Sequence, residues 1–99
     1  MARLVVTGPA RADVREILSE LRDVAGLQVA ERYLDSFETV YRYIAEFPAS
    51  GSPRPTLGAG IRIHVVSPFL VIYRDDQSTV SIIRVVDGRR NVTSELLRR

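Results

Sequence analysis

The sequence predicts an α+β fold, and three observations carry that reading. Apolar residues recur at helical spacing through the first half of the chain, β-branched runs separated by turn residues fill the second half, and a bridge rich in proline and glycine divides them. The bridge, Glu46 to His64 (EFPASGSPRPTLGAGIRIH), holds three of the five prolines and three of the six glycines. With a short N-terminal strand the expected order is β-α-α-β-β-β, an antiparallel helix hairpin packed on a small, mainly antiparallel sheet. Residues 1–99 form one domain on this reading, with an arginine-rich tail over residues 88–99.

The first element is RLVVT, Arg3 to Thr7, a β-branched run closed by Gly8-Pro9, where proline suits the opening turn of a helix. From Ala10 to Ala25 the residues Val14, Ile17, Leu18 and Leu21 recur every three or four positions, and Gly26 is a natural stop. Arg11, Arg15 and Arg22 sit off that stripe. A longer stripe follows, through Ala30, Tyr33, Leu34, Phe37, Val40, Tyr41, Ile44 and Phe47, until Pro48 ends it. A lone glycine between the stripes predicts a hairpin, and Tyr33 and Tyr41 read as core.

Beyond the bridge the period changes to that of strands. IRIHVV (Ile61 to Val66), FLVIYR (Phe69 to Arg74) and TVSIIRVVD (Thr79 to Asp87) are separated by Ser67-Pro68 and by Asp75-Asp76-Gln77-Ser78, which predicts an antiparallel meander. In the first run Ile61, Ile63 and Val65 share one face and Arg62, His64 and Val66 the other. The helix hairpin is therefore expected to cover the isoleucine face. The tail, GRRNVTSELLRR, carries a short apolar patch readable as one helical turn or as a disordered arm.

Composition narrows the function classes. A chain of this size buries about two thirds of its unfolded surface, enough for one core without staples. Hydrophobic residues at 45% and charged residues at 26% argue against disorder. The absence of cysteine excludes disulfides, thiolate zinc sites and a thiol nucleophile. No segment approaches the roughly 20 apolar residues of a membrane span, and MARLVVTGPARAD has too short an apolar core for an export signal, so a cytoplasmic protein is expected. The net charge is +2, yet all 14 basic residues are arginine. A G+C-rich coding bias explains that without function, and the basic balance permits a polyanionic partner without requiring one.

Little in the chain points to chemistry. His64 is the sole histidine, hence the one side chain whose ordinary pKa suits proton transfer near neutrality. Arg62 with Arg84, Arg89 and Arg90 would form an anion site if the fold gathered them. Gly58-Ala59-Gly60 precedes a strand and so is no phosphate loop. Neither a cofactor nor a metal site is expected.

The strand, the helix hairpin, the bridge and the runs FLVIYR and IIRVVDGRRN together resemble the RelE/ParE superfamily of toxins from bacterial toxin-antitoxin pairs. The similarity spans nearly the whole chain. Its most specific parts are Phe47-Pro48 with Gly51, Pro53, Arg54 and Leu57, then Arg62, Tyr73, and Arg84-Val85 followed by Gly88-Arg89-Arg90. The resemblance implies that the bridge is a scaffold carrying the chain off the second helix into the sheet, its prolines limiting the freedom of a long linker.

Two activities occur in that superfamily. Ribosome-dependent nucleases of the RelE type carry a strand motif Arg-Leu-Val-Tyr, where this chain has Leu70-Val71-Ile72-Tyr73, with leucine in place of the phosphate-binding arginine. They also tend to end in tyrosine or histidine-tyrosine, and Asp87 to Arg99 contains neither residue. The ParE-like branch blocks DNA gyrase by binding and is opposed by a ParD-like antitoxin. Many of its members have a histidine where this chain has Asp87. The resemblance thus implies a non-catalytic gyrase inhibitor that forms a hetero-oligomer with its antitoxin, the complex reaching operator DNA through the antitoxin. Its target contacts are expected among Arg62, His64, Arg84, Arg89, Arg90, Arg98 and Arg99. The rival readings are an mRNA interferase using Arg62, His64 and Arg89, and a non-toxic antitoxin-binding module acting in operon autoregulation.

Overall fold

The computed structural model describes residues 1–98 and has the predicted α+β order with one added strand. The elements are β1 (Arg3–Val6), α1 (Gly8–Ala25), α2 (Leu27–Glu46), β2 (Ser52–Pro53), β3 (Ile61–Val66), β4 (Phe69–Asp76) and β5 (Thr79–Asp87), with single 3-10 turns at Pro55–Leu57 and Leu96–Arg98. The sheet runs β1-β5-β4-β3-β2; β1 is parallel to β5 and every other pair is antiparallel. Two residues of the bridge, Ser52 and Pro53, supply the added strand β2 opposite Ile63 and Arg62. Asp75 and Asp76, expected in a turn, extend β4, because Gln77 and Ser78 suffice to close the hairpin. Gln77 does so at φ 56, the left-handed region.

Local chemistry sets the helix ends. Thr7 is the N-cap of α1: its hydroxyl accepts from the Ala10 amide at 3.2 Å and donates to the Ile83 carbonyl at 3.0 Å, tying the helix start to β5. Gly26 reverses the chain at φ 97, and its amide donates to the Arg22 carbonyl at 3.0 Å.

The sheet is apolar on both faces, and this corrects the expected placement of the helices. They cover the face that carries Arg62, His64 and Val66, not the isoleucine face. Phe37 and Ile44 of α2 and Ala10 of α1 pack there on Val71, Tyr73, Val80, Ile82 and Val85. Ile61 and Ile63 point the other way and join Ile72, Val86 and Leu96 in a second cluster, with Leu57, Leu70, Ile83, Val92 and Leu97 around it. The tail is thus an ordered cover, its Leu96 only 8% exposed.

A β-bulge links the two layers. Tyr73 pairs with Ile82 and Ile72 with Arg84, so Ile83 is an extra residue in β5. The bulge re-aims Arg84, which grips Asp13 of α1 with Nε at 2.6 Å and Nη2 at 2.9 Å and gives Nη1 to the Leu96 carbonyl at 3.0 Å. Asp13 also accepts the Val85 amide at 3.0 Å. Both side chains are mostly buried, at 13% and 15% exposure, so each depends on the other for its charge partner. Replacing Asp13 by Asn should lower the free energy of unfolding by about 3 kcal/mol in urea titration, the expected loss for an uncompensated buried charge. Leu96→Ala should cost about 2 kcal/mol by losing the tail's main anchor.

Candidate functional site

The bridge returns onto β3 and β4, where residues from the family-like motif hold it. Tyr73 is fully buried; its hydroxyl donates to the Pro48 carbonyl at 2.7 Å and accepts the Gly51 amide at 2.8 Å. Arg62 Nη1 donates to the carbonyls of Ala49 at 3.1 Å and Gly51 at 2.9 Å. Arg62 Nε lies 4.0 Å from Asp75. His64 Nε2 is 2.8 Å from Ser50 Oγ, and its ring meets Tyr43 edge-on at 5.7 Å and lies nearly parallel to Tyr73 at 6.2 Å. Burial among these rings lowers the His64 pKa from 6.5, favouring neutral imidazole. A Cβ on Gly51 would stand 2.6 Å from the Tyr73 hydroxyl, so only glycine fits beneath the bridge.

The six described candidate contact residues do not converge on one site. Arg62 and His64 sit under the bridge on the helix-side face of β3. Arg84 is spent on Asp13 and the tail. Arg89 donates to both carboxylate oxygens of Asp87, and these bonds hold the Asp87 carboxyl at about 2, well below its ordinary value. Asp87 stands opposite Phe69, four residues along β4 from the Tyr73 that faces Arg62. Arg90 and Arg98 are exposed, and Arg99 lies outside the described residues. Among the described residues Arg62 and His64 share one neighbourhood, and Arg89 and Arg90 share another around Asp87.

A second surface lies on the helix hairpin, where the resemblance implies that an antitoxin lays a helix and an extended arm over apolar surface and arginines. Between the outer faces of α1 and α2 runs an apolar groove of about 420 Å³, lined by Leu18, Leu27, Ala30 and Leu34 with Arg15, Arg22 and Glu31 at its edges. Through Arg15 and Leu18 it joins a second hollow of about 370 Å³, which adds Val6, Val14, Tyr41 and Arg11. Leu27 is 60% and Leu34 39% exposed. The off-stripe positions of Arg11, Arg15 and Arg22 were visible in the sequence, but their alignment beside a groove needed the hairpin's packing. Tyr41 lies at the groove with a buried hydroxyl that lacks a hydrogen-bond partner among the described residues. Burial, and then the Asp13 charge, push its pKa up to about 12, with Arg11 opposing.

Two tests follow for the bridge. Gly51→Ala should displace Tyr73 and lower stability by about 2 kcal/mol, read as an earlier urea midpoint. The lowered His64 pKa means that the unfolded chain binds the extra proton first as the pH falls. Stability from this group is therefore complete above 6.5 and declines below it. In thermal melts that decline should be smaller in His64→Gln.

Comparison with known proteins agrees with this architecture. A family model described as ParE toxin of type II toxin-antitoxin system, parDE, matches residues 4–92. Toxin ParE3 of Caulobacter vibrioides is 32% identical over 96 residues, spanning 97% of this chain and 96% of that protein. A solved structure described as the chromosomal ParDE TA system from P. aeruginosa shares the fold at TM-score 0.74 and 21% identity, covering 88% of this chain and 96% of that one. Sequence match over nearly the full length, with the same strand and helix layout, places this chain in the ParE toxin family of type II toxin-antitoxin systems.

Proposed function

We propose that this chain is a cytoplasmic toxin that inhibits DNA gyrase by binding, and that a ParD-like antitoxin neutralises it by seating an amphipathic helix in the groove between α1 and α2. The groove carries the antitoxin reading. Its floor is apolar and open, and Arg11, Arg15 and Arg22 lie along it. An occupant with leucine-like side chains on one face and carboxylates beside them matches both features. An extended arm continuing onto the sheet would cover further apolar surface, and the hetero-oligomer would reach operator DNA through the antitoxin. Among the described residues no helix is long and apolar enough to cross a membrane, which is consistent with this reading.

Support for binding rather than cleavage comes from the scattered arginines. An in-line phosphate cleavage needs an acid or base and cationic groups converging on one phosphate. Arg62 and His64 face the bridge while Arg89 is paired with Asp87 beyond the end of β5. Arg90 and Arg98 remain as exposed cations for target contact, along with Arg99 from the sequence.

In titration calorimetry against a ParD-like antitoxin, Leu27→Asp and Leu34→Asp should each raise Kd at least tenfold, about 1.4 kcal/mol, with little loss of fold. Arg15→Glu should mainly slow association and flatten its salt dependence. For the target, purified gyrase mixed with the free toxin should lose supercoiling activity or accumulate cleaved DNA complexes. Unchanged gyrase at micromolar toxin, with translated messages cut instead, would replace this reading with the nuclease one.

A further inference from the structure

We propose that Ser50 and His64 form a nucleophile and base pair, and that Ser50 is a site at which this chain accepts a phosphoryl group from an activated phosphate donor. The proposal is independent of the gyrase and antitoxin readings.

Three features of the bridge carry it. First, Ser50 is exposed and its Oγ lies 2.8 Å from His64 Nε2, within reach for direct proton transfer. With the ring proton on Nδ1, Nε2 is a free base facing the hydroxyl. Second, the pair is held still. Tyr43 and Tyr73 fix the imidazole from two sides, and the residues flanking Ser50 are tied down by Arg62 on the Ala49 and Gly51 carbonyls and by Tyr73 on Pro48 and Gly51. Such positioning is what turns a weak alcohol nucleophile into an effective one. Third, the guanidinium of Arg62 lies against both neighbours of Ser50; with Nη1 taken by their carbonyls and Nε facing Asp75, it offers phosphoryl oxygens its positive charge and not a free bidentate fork.

The Tyr73 hydroxyl competes for the same proton: it donates its own to Pro48 and so accepts from Ser50. The Ser50 hydroxyl has one proton and serves one acceptor at a time, and the reactive rotamer is the one that turns it to His64 Nε2. The titratable rings against the imidazole are Tyr43 from α2 and Tyr73 from β4, and the charges of Arg62 on β3 and Asp75 on β4 act on the Tyr73 hydroxyl beside it. Burial lowers the ring's pKa from 6.5 and so favours the neutral form that a base requires.

In the step itself Ser50 Oγ bonds to phosphorus, the bond from phosphorus to the donor's leaving group breaks, and the hydroxyl proton passes to His64 Nε2. With a nucleoside triphosphate the leaving group is the diphosphate; with a fluorophosphonate it is fluoride. A phosphoserine there would place about two negative charges beside Arg62, next to the half-exposed rings of Tyr43 and Phe47.

The test is to incubate the full chain with a fluorophosphonate probe and locate adducts by intact mass and peptide mapping. One adduct on Ser50 is expected, absent in Ser50→Ala, with Ser36 and Ser52 unlabelled. Its rate should rise with pH below 6.5 and then level as His64 becomes fully neutral. His64→Gln, which keeps a polar side chain but no base, should slow it by at least tenfold. No adduct, labelling spread over several serines, or equal rates at Ser50 with and without the imidazole would overturn the proposal. Should His64→Gln unfold, the unmodified chain decides: a rate that climbs without levelling belongs to hydroxide and overturns it as well.

Discussion

Both faces of the central sheet are apolar, and this constraint organises the molecule. A strand alternates its side chains, so β4 sends Val71 and Tyr73 to one side and Leu70 and Ile72 to the other. One helix hairpin covers one side only. The second side would face water if Val92, Leu96 and Leu97 did not return over it, and burial of those side chains is worth roughly 1.5–3 kcal/mol each when complete. Arg84 connects the layers, taking its carboxylate partner from α1 and giving its remaining donor to the tail. The bulge at Ile83 makes this reach possible by shifting the strand's alternation by one residue.

The bridge obeys a related logic. A loop leaving a helix must find partners for its backbone groups, and here side chains from the sheet provide them: the Tyr73 hydroxyl for Pro48 and Gly51, the Arg62 guanidinium for Ala49 and Gly51. Four of the residues that carry the family resemblance, Pro48, Gly51, Arg62 and Tyr73, are thereby explained as one fastening. Arg62 and His64 are in this sense structural before they are contact residues. The same fastening immobilises Ser50 beside the imidazole, so a scaffold device and a reactive geometry arise from one set of bonds.

How much of this could be read beforehand differs by element. Both helices and the three long strands were legible because each repeats its apolar period over many residues. Which face the helices cover was not, since Ile61 and Ile63 look as much like core as Val66 and Val71 do, and period-two patterning cannot rank two apolar faces. Leu96-Leu97 was the available clue to a second cover, but a two-residue apolar patch in an arginine-rich tail reads equally as a loose end. The strand Ser52–Pro53 is too short to carry a pattern, and a bulge leaves no mark in composition. Asp13 and Arg84 lie 71 positions apart, so their pairing became visible only once α1 was laid across β5. The groove between the helices was half visible, as arginines off the stripe, while its depth depends on how the hairpin closes.

The ordered tail also changes how work at the C-terminus of this chain should be interpreted. Arg90 and Arg98 share a segment with the side chains that seal the isoleucine cluster, so shortening the protein from that end removes cations and uncovers hydrophobic sheet in one stroke. Diminished toxicity after such a deletion would reflect a damaged fold as readily as a missing handhold, and a bulky affinity tag there would pull on the same lid. Charge-reversing point changes at the exposed arginines separate the two, because they leave the leucines in their seats.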